Sequence, residues 1–421
     1  MRTLSGVTKI VIVGLLGVGL VGSGCTDRGG TRPRTGTDAG PLPGVDGGPP
    51  PPPPPPVDGG CYQGTEHDDL DGDGFTEAEG DCSDCSPQVN PAAFDDPGNA
   101  VDEDCSGTAA TEPEACDVGL ALDSNDPLDA ARALGLCRIT TESAREWGVI
   151  SARWVRADGT GAPASDMQHG IMERFGAISA RRGGTMLALS SGAARAPGQP
   201  GYTTGCDAYS ESVQGALPAG LDPRSPACPG VTTGDVYDPI ALEVRVRVPS
   251  NAEGLQFESN FFTYEYPDYI CSEYNDFYVV VMDPRPSGSA DGNIVFDTEG
   301  NKVSVNNGLL RACVPGTHEG RYFGCDLGTG PLAMTGYDDT AECGNAPSLP
   351  FPLPLPIPDS QVGASTGWLR TSTPVEGGSI ITLRFAIWDA GDPDLDSLTL
   401  IDSFSWLVED PGNVSTDPIL F

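Results

Sequence analysis

The chain is 421 residues long and carries 60 Asp+Glu against 23 Lys+Arg, a formal net charge of -37 at pH 7. That length accommodates two or three domains and a full-sized hydrophobic core. The charge excludes nucleic acid and anionic lipid headgroups as electrostatic partners, since both require a basic footprint, and it favours cations.

Arg2 and Lys9 lead into the apolar run IVIVGLLGVGLVG, too short and glycine-rich for a permanent membrane span, which ends in LVGSGC at Cys25. Residues 1–24 therefore read as an export signal. Gly22, Ser23 and Gly24 before Cys25 resemble a bacterial lipobox, although Gly22 stands where such boxes usually carry leucine. The resemblance implies lipidation of Cys25, an anchor in the cell-envelope membrane and, with Thr26 rather than aspartate following, an outer-membrane or cell-surface location. The alternative is cleavage as an ordinary secretory signal. Residues 25–60 have almost no apolar side chains to bury and form a spacer. Within it the run Pro49–Pro56 should adopt polyproline II, about 25 Å long at roughly 3.1 Å per residue.

From Asp69 the chain reads Asp69, Asp71, Asp73, Gly74, the D-x-D-x-D-G opening of an EF-hand-like calcium loop. Carboxylates at alternate places of a tight turn can converge on one hard cation, and Gly74 permits the bend that closes the loop. Phe75, at the seventh place, would offer its backbone carbonyl, and Glu77, at the ninth, a direct or water-mediated oxygen. Gly80 occupies the twelfth place, where an EF-hand needs glutamate, so the closing carboxylate is expected from Glu79, Asp81 or further away. Residues 61–107 hold 14 Asp+Glu and no Lys or Arg, but a disordered acidic linker would lack this ordered spacing and the flanking cysteines. The segment resembles the MopE-type metal-binding repeat of bacterial surface proteins through D-x-D-G-D-G at 69–74, Asp81-Cys82, N-P-x-A at 90–93 and VDEDCSG at 101–107. The expected cofactor is structural calcium, taking the place of the apolar core the segment lacks. Its ligand set is Asp69, Asp71, Asp73, Phe75, Glu77 and Asp81.

There are 13 cysteines, and setting Cys25 aside leaves 12, an even number that fits an oxidising compartment. Proximity favours pairing among Cys61, Cys82, Cys85 and Cys105, then Cys116 with Cys137, Cys206 with Cys228, Cys271 with Cys313, and Cys325 with Cys343. Cys82-x-x-Cys85 lacks the second such pair that a zinc ribbon requires.

Residues 115–421 read as one domain. A short helix is expected in NDPLDAARALGLC, with Asn125 or Asp126 as cap and Pro127 in the first turn. In IALEVRVRV, Ile240, Leu242, Val244, Val246 and Val248 face one way and Glu243, Arg245 and Arg247 the other. IITLRFAIW repeats the pattern through Ile381, Leu383, Phe385 and Ile387. Strands of this kind have one buried and one wet face. The expected fold is mainly β, an antiparallel β-sandwich of jelly-roll type. Tyr237, Asp238, Leu242, Glu243, the run Tyr264-Glu265-Tyr266-Pro267, and Glu273, Asn275, Asp276 and Phe277 resemble the choice-of-anchor L family of secreted bacterial proteins. GIMERFG, GTMLALSSGAA and FAIWDAGDPDLDSLTLIDSF extend the resemblance over roughly residues 115 to 410. Members carry different anchors on a shared domain of unestablished activity, so the resemblance implies architecture and location. The proline-rich run at 349–358 departs from it and reads as a surface loop.

Glu265, Asp268, Glu273, Asn275 and Asp276 lie between an aromatic strand and the apolar run FYVVVM, and Asp389, Asp392, Asp394 and Asp396 follow another alternating strand. Both groups should emerge at a sheet end, and a second calcium site is expected from Glu265, Glu273, Asn275, Asp276, Asp392 and Asp396. No H-E-x-x-H or G-x-S-x-G occurs and only three histidines are present, so no catalytic residue is assigned. The expected function is non-enzymatic: a calcium-stabilised surface lipoprotein whose sandwich binds a glycan, a matrix component or a surface protein. The alternative is a carbohydrate-active hydrolase using carboxylates such as Glu265 and Glu273, with Tyr264, Tyr266 and Tyr269 stacking on sugar.

Overall fold

Wherever apolar side chains alternate in the second half of the sequence, the chain is extended, and most strands assemble into two large open antiparallel sheets, with two small two-stranded ones beside them. The computed structural model describes residues 64–204, 212–338 and 362–420, all within the compact unit Asp58–Phe421. The export signal, Cys25, the spacer, Cys61, Cys206, Cys343 and the 349–358 run lie outside the described residues. One sheet has five strands in the order Gly148–Val155, Val236–Arg247, Ile380–Ala390, Phe277–Asp283 and Val303–Ser304. The other, of seven, runs Ser415–Pro418, Leu369–Pro374, Gly254–Thr263, Leu398–Leu407, Met186–Ser190 and His169–Met172, with Ala364–Ser365 added at the end of the 254–263 strand.

The core lies between the sheets. Ile240, Leu242, Val244 and Val246, with Ile381, Leu383, Phe385 and Ile387 on the paired strand, meet Leu255, Phe257, Phe261 and Ile401 of the other sheet, all at most 1 % exposed. Phe257 and Phe385 touch edge to face across the layers with centroids 5.3 Å apart. The outward face differs from the alternation-based expectation. Ala241, Val279, Ala386 and Trp388 are buried there as well, because Leu217 and Leu221 of the preceding loop pack over them. Glu243 also faces outward but is only 7 % exposed, held between Arg153 and Arg384 on the two neighbouring strands.

The α-helix is Pro127–Leu134, and its cap is Asp126, whose side chain accepts from the Leu128 N–H at 2.9 Å. It buries Ala130, Ala131 and Leu134 against the core.

Cys82–Cys105 and Cys116–Cys137 are bonded, and Cys85 is also in a disulfide. The other expected pairings are corrected. Cys228 bonds Cys271 and Cys313 bonds Cys325, replacing Cys206–Cys228, Cys271–Cys313 and Cys325–Cys343. The loop holding Cys228 lies against the 265–276 connection, where the Gly234 N–H donates to the Glu273 carbonyl. Cys313 and Cys325 flank a hairpin, Gly316–His318 with Arg321–Phe323, that brings them together. Chain folding, not rank order along the chain, chose the partners.

The acidic segment packs on the sandwich. The Trp147 indole N–H donates to the Ala93 carbonyl at 2.9 Å, Asn251 bonds both backbone groups of Phe94, and the Ser250 N–H donates to the Ala92 carbonyl. Arg138 pairs with Asp104 at 2.5 Å.

Candidate metal centre

The acidic loop is shaped by its own carboxylates. Asp69 accepts from the Gly72 N–H at 2.8 Å and from the Gly74 N–H at 3.0 Å. One oxygen each of Asp71, Asp73 and Asp81 takes the N–H two residues on, from Asp73, Phe75 and Ser83. Such turns require a left-handed residue where the chain reverses, and Gly74 supplies it with φ 94°. The second oxygens of Asp71, Asp73 and Asp81 are buried and have no hydrogen-bond partner. Ligand oxygens of Asp69, Asp71 and Asp73, and of Asp71, Asp81 and Asp84, lie within 4.8 Å of one another. Burial, followed by Asp73, Asp71 and Asp84, pushes the Asp81 carboxyl up to about 6. Burial with Asp71 and Asp69 nearby also raises that of Asp73. The charge density that should drive the segment apart is thus gathered in two adjoining groups that share Asp71.

Of the expected ligands, Asp69, Asp71, Asp73 and Asp81 come together. Phe75 is buried, its ring under the Arg145 guanidinium at 3.6 Å. Glu77 is exposed on the short 3-10 turn Glu77–Glu79 and joins neither group. Glu79 faces Arg145 at 3.2 Å. Asp84, which sequence reasoning missed, is 6 % exposed and accepts from the Leu70 N–H, tying the far end of the segment to the loop. Its position between Cys82 and Cys85 was the available signal. In a further group, Asp95, Asp102 and Asp104, Asp104 pairs with Arg138 and Asp102 takes the Ser106 and Gly107 N–H groups, while Asp95 takes the Ala110 N–H with one oxygen and keeps the other buried without a hydrogen-bond partner.

The two acidic loops of the sandwich also meet. Asp276 accepts from the Ala390 N–H at 3.1 Å and from the Ser397 hydroxyl at 2.7 Å, and its own N–H donates to Glu265 at 3.2 Å. Glu265, Asn275, Asp276, Asp389 and Asp396 are each at most 2 % exposed. Burial raises the carboxyl of Glu265, with Asp276 adding to it, and brings Asp276 up to about 7. The same cause, reinforced by Asp276, raises Asp389 and Asp396. Glu273 is exposed and Asp392 half-buried, its carboxylate taking the Asp394 N–H, so these two stand at the rim. Asp389, absent from the expected ligand set, sits inside. The alternation Ile381, Leu383, Phe385, Ile387 continues directly to it, which was the legible signal. Tyr264 and Tyr266 are buried, Tyr264 stacked on Tyr337 at 4.2 Å. No protein-family model, curated protein or solved structure matches the chain.

Proposed function

We propose that this chain is an exported, lipid-anchored surface protein whose acidic module is held in shape by a structural calcium ion and whose β-sandwich, carried on the 25–60 spacer, binds a glycan, matrix component or surface protein without catalysing a reaction. The observation that carries the calcium reading is the set of buried, unpartnered oxygens on Asp71, Asp73 and Asp81, residues that belong to two acidic groups, with Asp69 and with Asp84, joined through Asp71. An oxygen-only donor set with this many carboxylates suits a hard cation, to which Phe75 would add its backbone carbonyl. Calcium offsets their mutual repulsion and so contributes directly to folding. The export signal and lipobox-like Cys25 support the location, as do the disulfides, which persist in oxidising compartments. The non-enzymatic reading is supported by Glu265, whose burial keeps it from an incoming sugar, and by the buried rings of Tyr264 and Tyr266.

Calcium titrated calorimetrically into the oxidised, exported protein tests this reading against an Asp71→Asn/Asp73→Asn variant. The variant should lose a binding event and the part of the calcium-dependent rise in melting temperature that goes with it. An isotherm identical to that of the wild type would refute the assignment.

A further inference from the structure

Core-facing positions on three strands end in acids at the same end of the sandwich. Ile381, Leu383, Phe385 and Ile387 are followed at the same two-residue spacing by Asp389, and Tyr278, Val280 and Met282 are preceded by Asp276. Leu255, Phe257, Ser259, Phe261 and Thr263 are followed by Glu265. Register places the first two side by side, since Trp388 pairs with Phe277. The partner strand supplies Asp396 and Ser397 just before Leu398, which pairs with Phe262. A bulge contributes as well: the register between the 380–390 and 236–247 strands shifts between Ile387 and Asp389, with Asp238 at φ 45°. Bulges of this kind re-aim side chains beside sites.

Both oxygens of Asp389, both of Asp396 and both amide atoms of Asn275 are buried without a hydrogen-bond partner. Ser191 and Asp276 lie beside Asp389, and the Ser191 hydroxyl itself donates to the Ser397 carbonyl. The charged groups acting on Glu265, Asp276, Asp389 and Asp396 are other carboxylates. Leaving carboxylates buried and uncompensated is strongly unfavourable on general grounds, whereas a bound cation would use the same orphaned oxygens. Gly192 closes against this group: a Cβ there would stand 1.8 Å from an Asp396 oxygen and would displace that carboxylate.

We propose that this sheet-end centre binds one divalent cation of the calcium class, ligated by Asp389, Asp396 and the Asn275 carbonyl oxygen, with Asp276 and Glu265 as hydrogen-bonded positioning residues. Two carboxylates match the charge of the ion, and the ligands come from both sheets, so the ion joins the layers where the apolar core stops. No three carboxylates here gather their oxygens within 4.8 Å as those of the acidic loop do. Loading therefore draws Asp396 toward Asp389 through the 391–397 segment, which contains left-handed Gly391 and Leu395.

The site is separable from the acidic loop by working in the oxidised, exported Asp71→Asn/Asp73→Asn protein. Calcium alone, titrated calorimetrically, should still bind with a stoichiometry near one, and adding Asp389→Asn/Asp396→Asn should abolish that event. Terbium replacing calcium should emit when tryptophan is excited, because Trp388 adjoins Asp389, and Trp388→Phe, which removes no proposed ligand, should reduce the emission several-fold in a folded protein. The proposal is overturned if the loop variant binds no calcium, if the Asp389/Asp396 substitutions leave its isotherm unchanged, or if terbium emission is indifferent to Trp388. It is equally overturned if acidification raises the melting temperature of the loop variant while calcium does not, since protons would then be what the carboxylates hold. Failure of the loop assignment leaves each of these outcomes readable, because it is scored on the wild-type comparison alone.

Discussion

Replacing His169 with phenylalanine should remove a specific acid sensitivity of the sandwich. His169 is 1 % exposed, both ring nitrogens lack a partner, and its ring stacks on Trp154 with centroids 4.0 Å apart and planes 7° from parallel. Burial lowers its pKa from 6.5 to about 4, Asp166 opposing and Arg195 reinforcing the shift. A depressed folded pKa means that the unfolded chain takes up the proton first. The stability is fully present above the unfolded value near 6.5 and is lost as pH falls through about 4. At about 1.36 kcal/mol per pH unit, that interval corresponds to roughly 3 kcal/mol. His169→Phe keeps the stack on Trp154 and cannot protonate. Urea unfolding followed by tryptophan fluorescence at steps from pH 8 to pH 4 should therefore show the wild type losing about 3 kcal/mol relative to the variant over that range. Differencing the two proteins cancels the titration of the many shared carboxylates. Parallel stability curves across the range would refute the reasoning, since His169 would then be either solvated or already paired.

Phe385→Ala, which removes a fully buried ring from the inter-sheet contact with Phe257, should cost about 3–5 kcal/mol by chemical denaturation, with calcium binding at the acidic loop retained. Glu243→Gln weakens the charged contacts to Arg153 and Arg384, whose side chains are 60 % and 19 % exposed. The loss should be about 1–3 kcal/mol by urea unfolding, most of it from the more buried Arg384. Cys25→Ala should move the protein from the detergent-soluble membrane fraction to the soluble fraction. Release of the wild type without detergent would refute the lipid anchor.

Much of the architecture was legible because its signals are local. Alternation at spacing two identifies a strand and which of its side chains share a face, so Ile240 to Val246 and Ile381 to Ile387 could be placed in the core before any pairing was known. The cap at Asp126 and the reversal at Gly74 are likewise set within a few residues. The acidic loop belongs to the same class, since Asp69, Asp71 and Asp73 are close in space because they are close in sequence. The wet outer face was misjudged because burial of Ala241 and Trp388 depends on a loop arriving over them, which no property of their own strands reveals.

The sequence by itself determined that this is a mainly β, cysteine-rich, strongly acidic chain with an ordered aspartate loop, because composition and short-range spacing carry that information. Tertiary structure alone decided that Cys228 meets Cys271, that Asp84 rather than Glu77 closes on the loop, and that Asp276, Asp389 and Asp396 occupy one sheet end while Glu273 and Asp392 stay at its rim. Each of those outcomes depends on strand order, register and loop packing. The side chains concerned become neighbours only when the sheets bury their apolar faces against each other, bringing together acids more than a hundred positions apart.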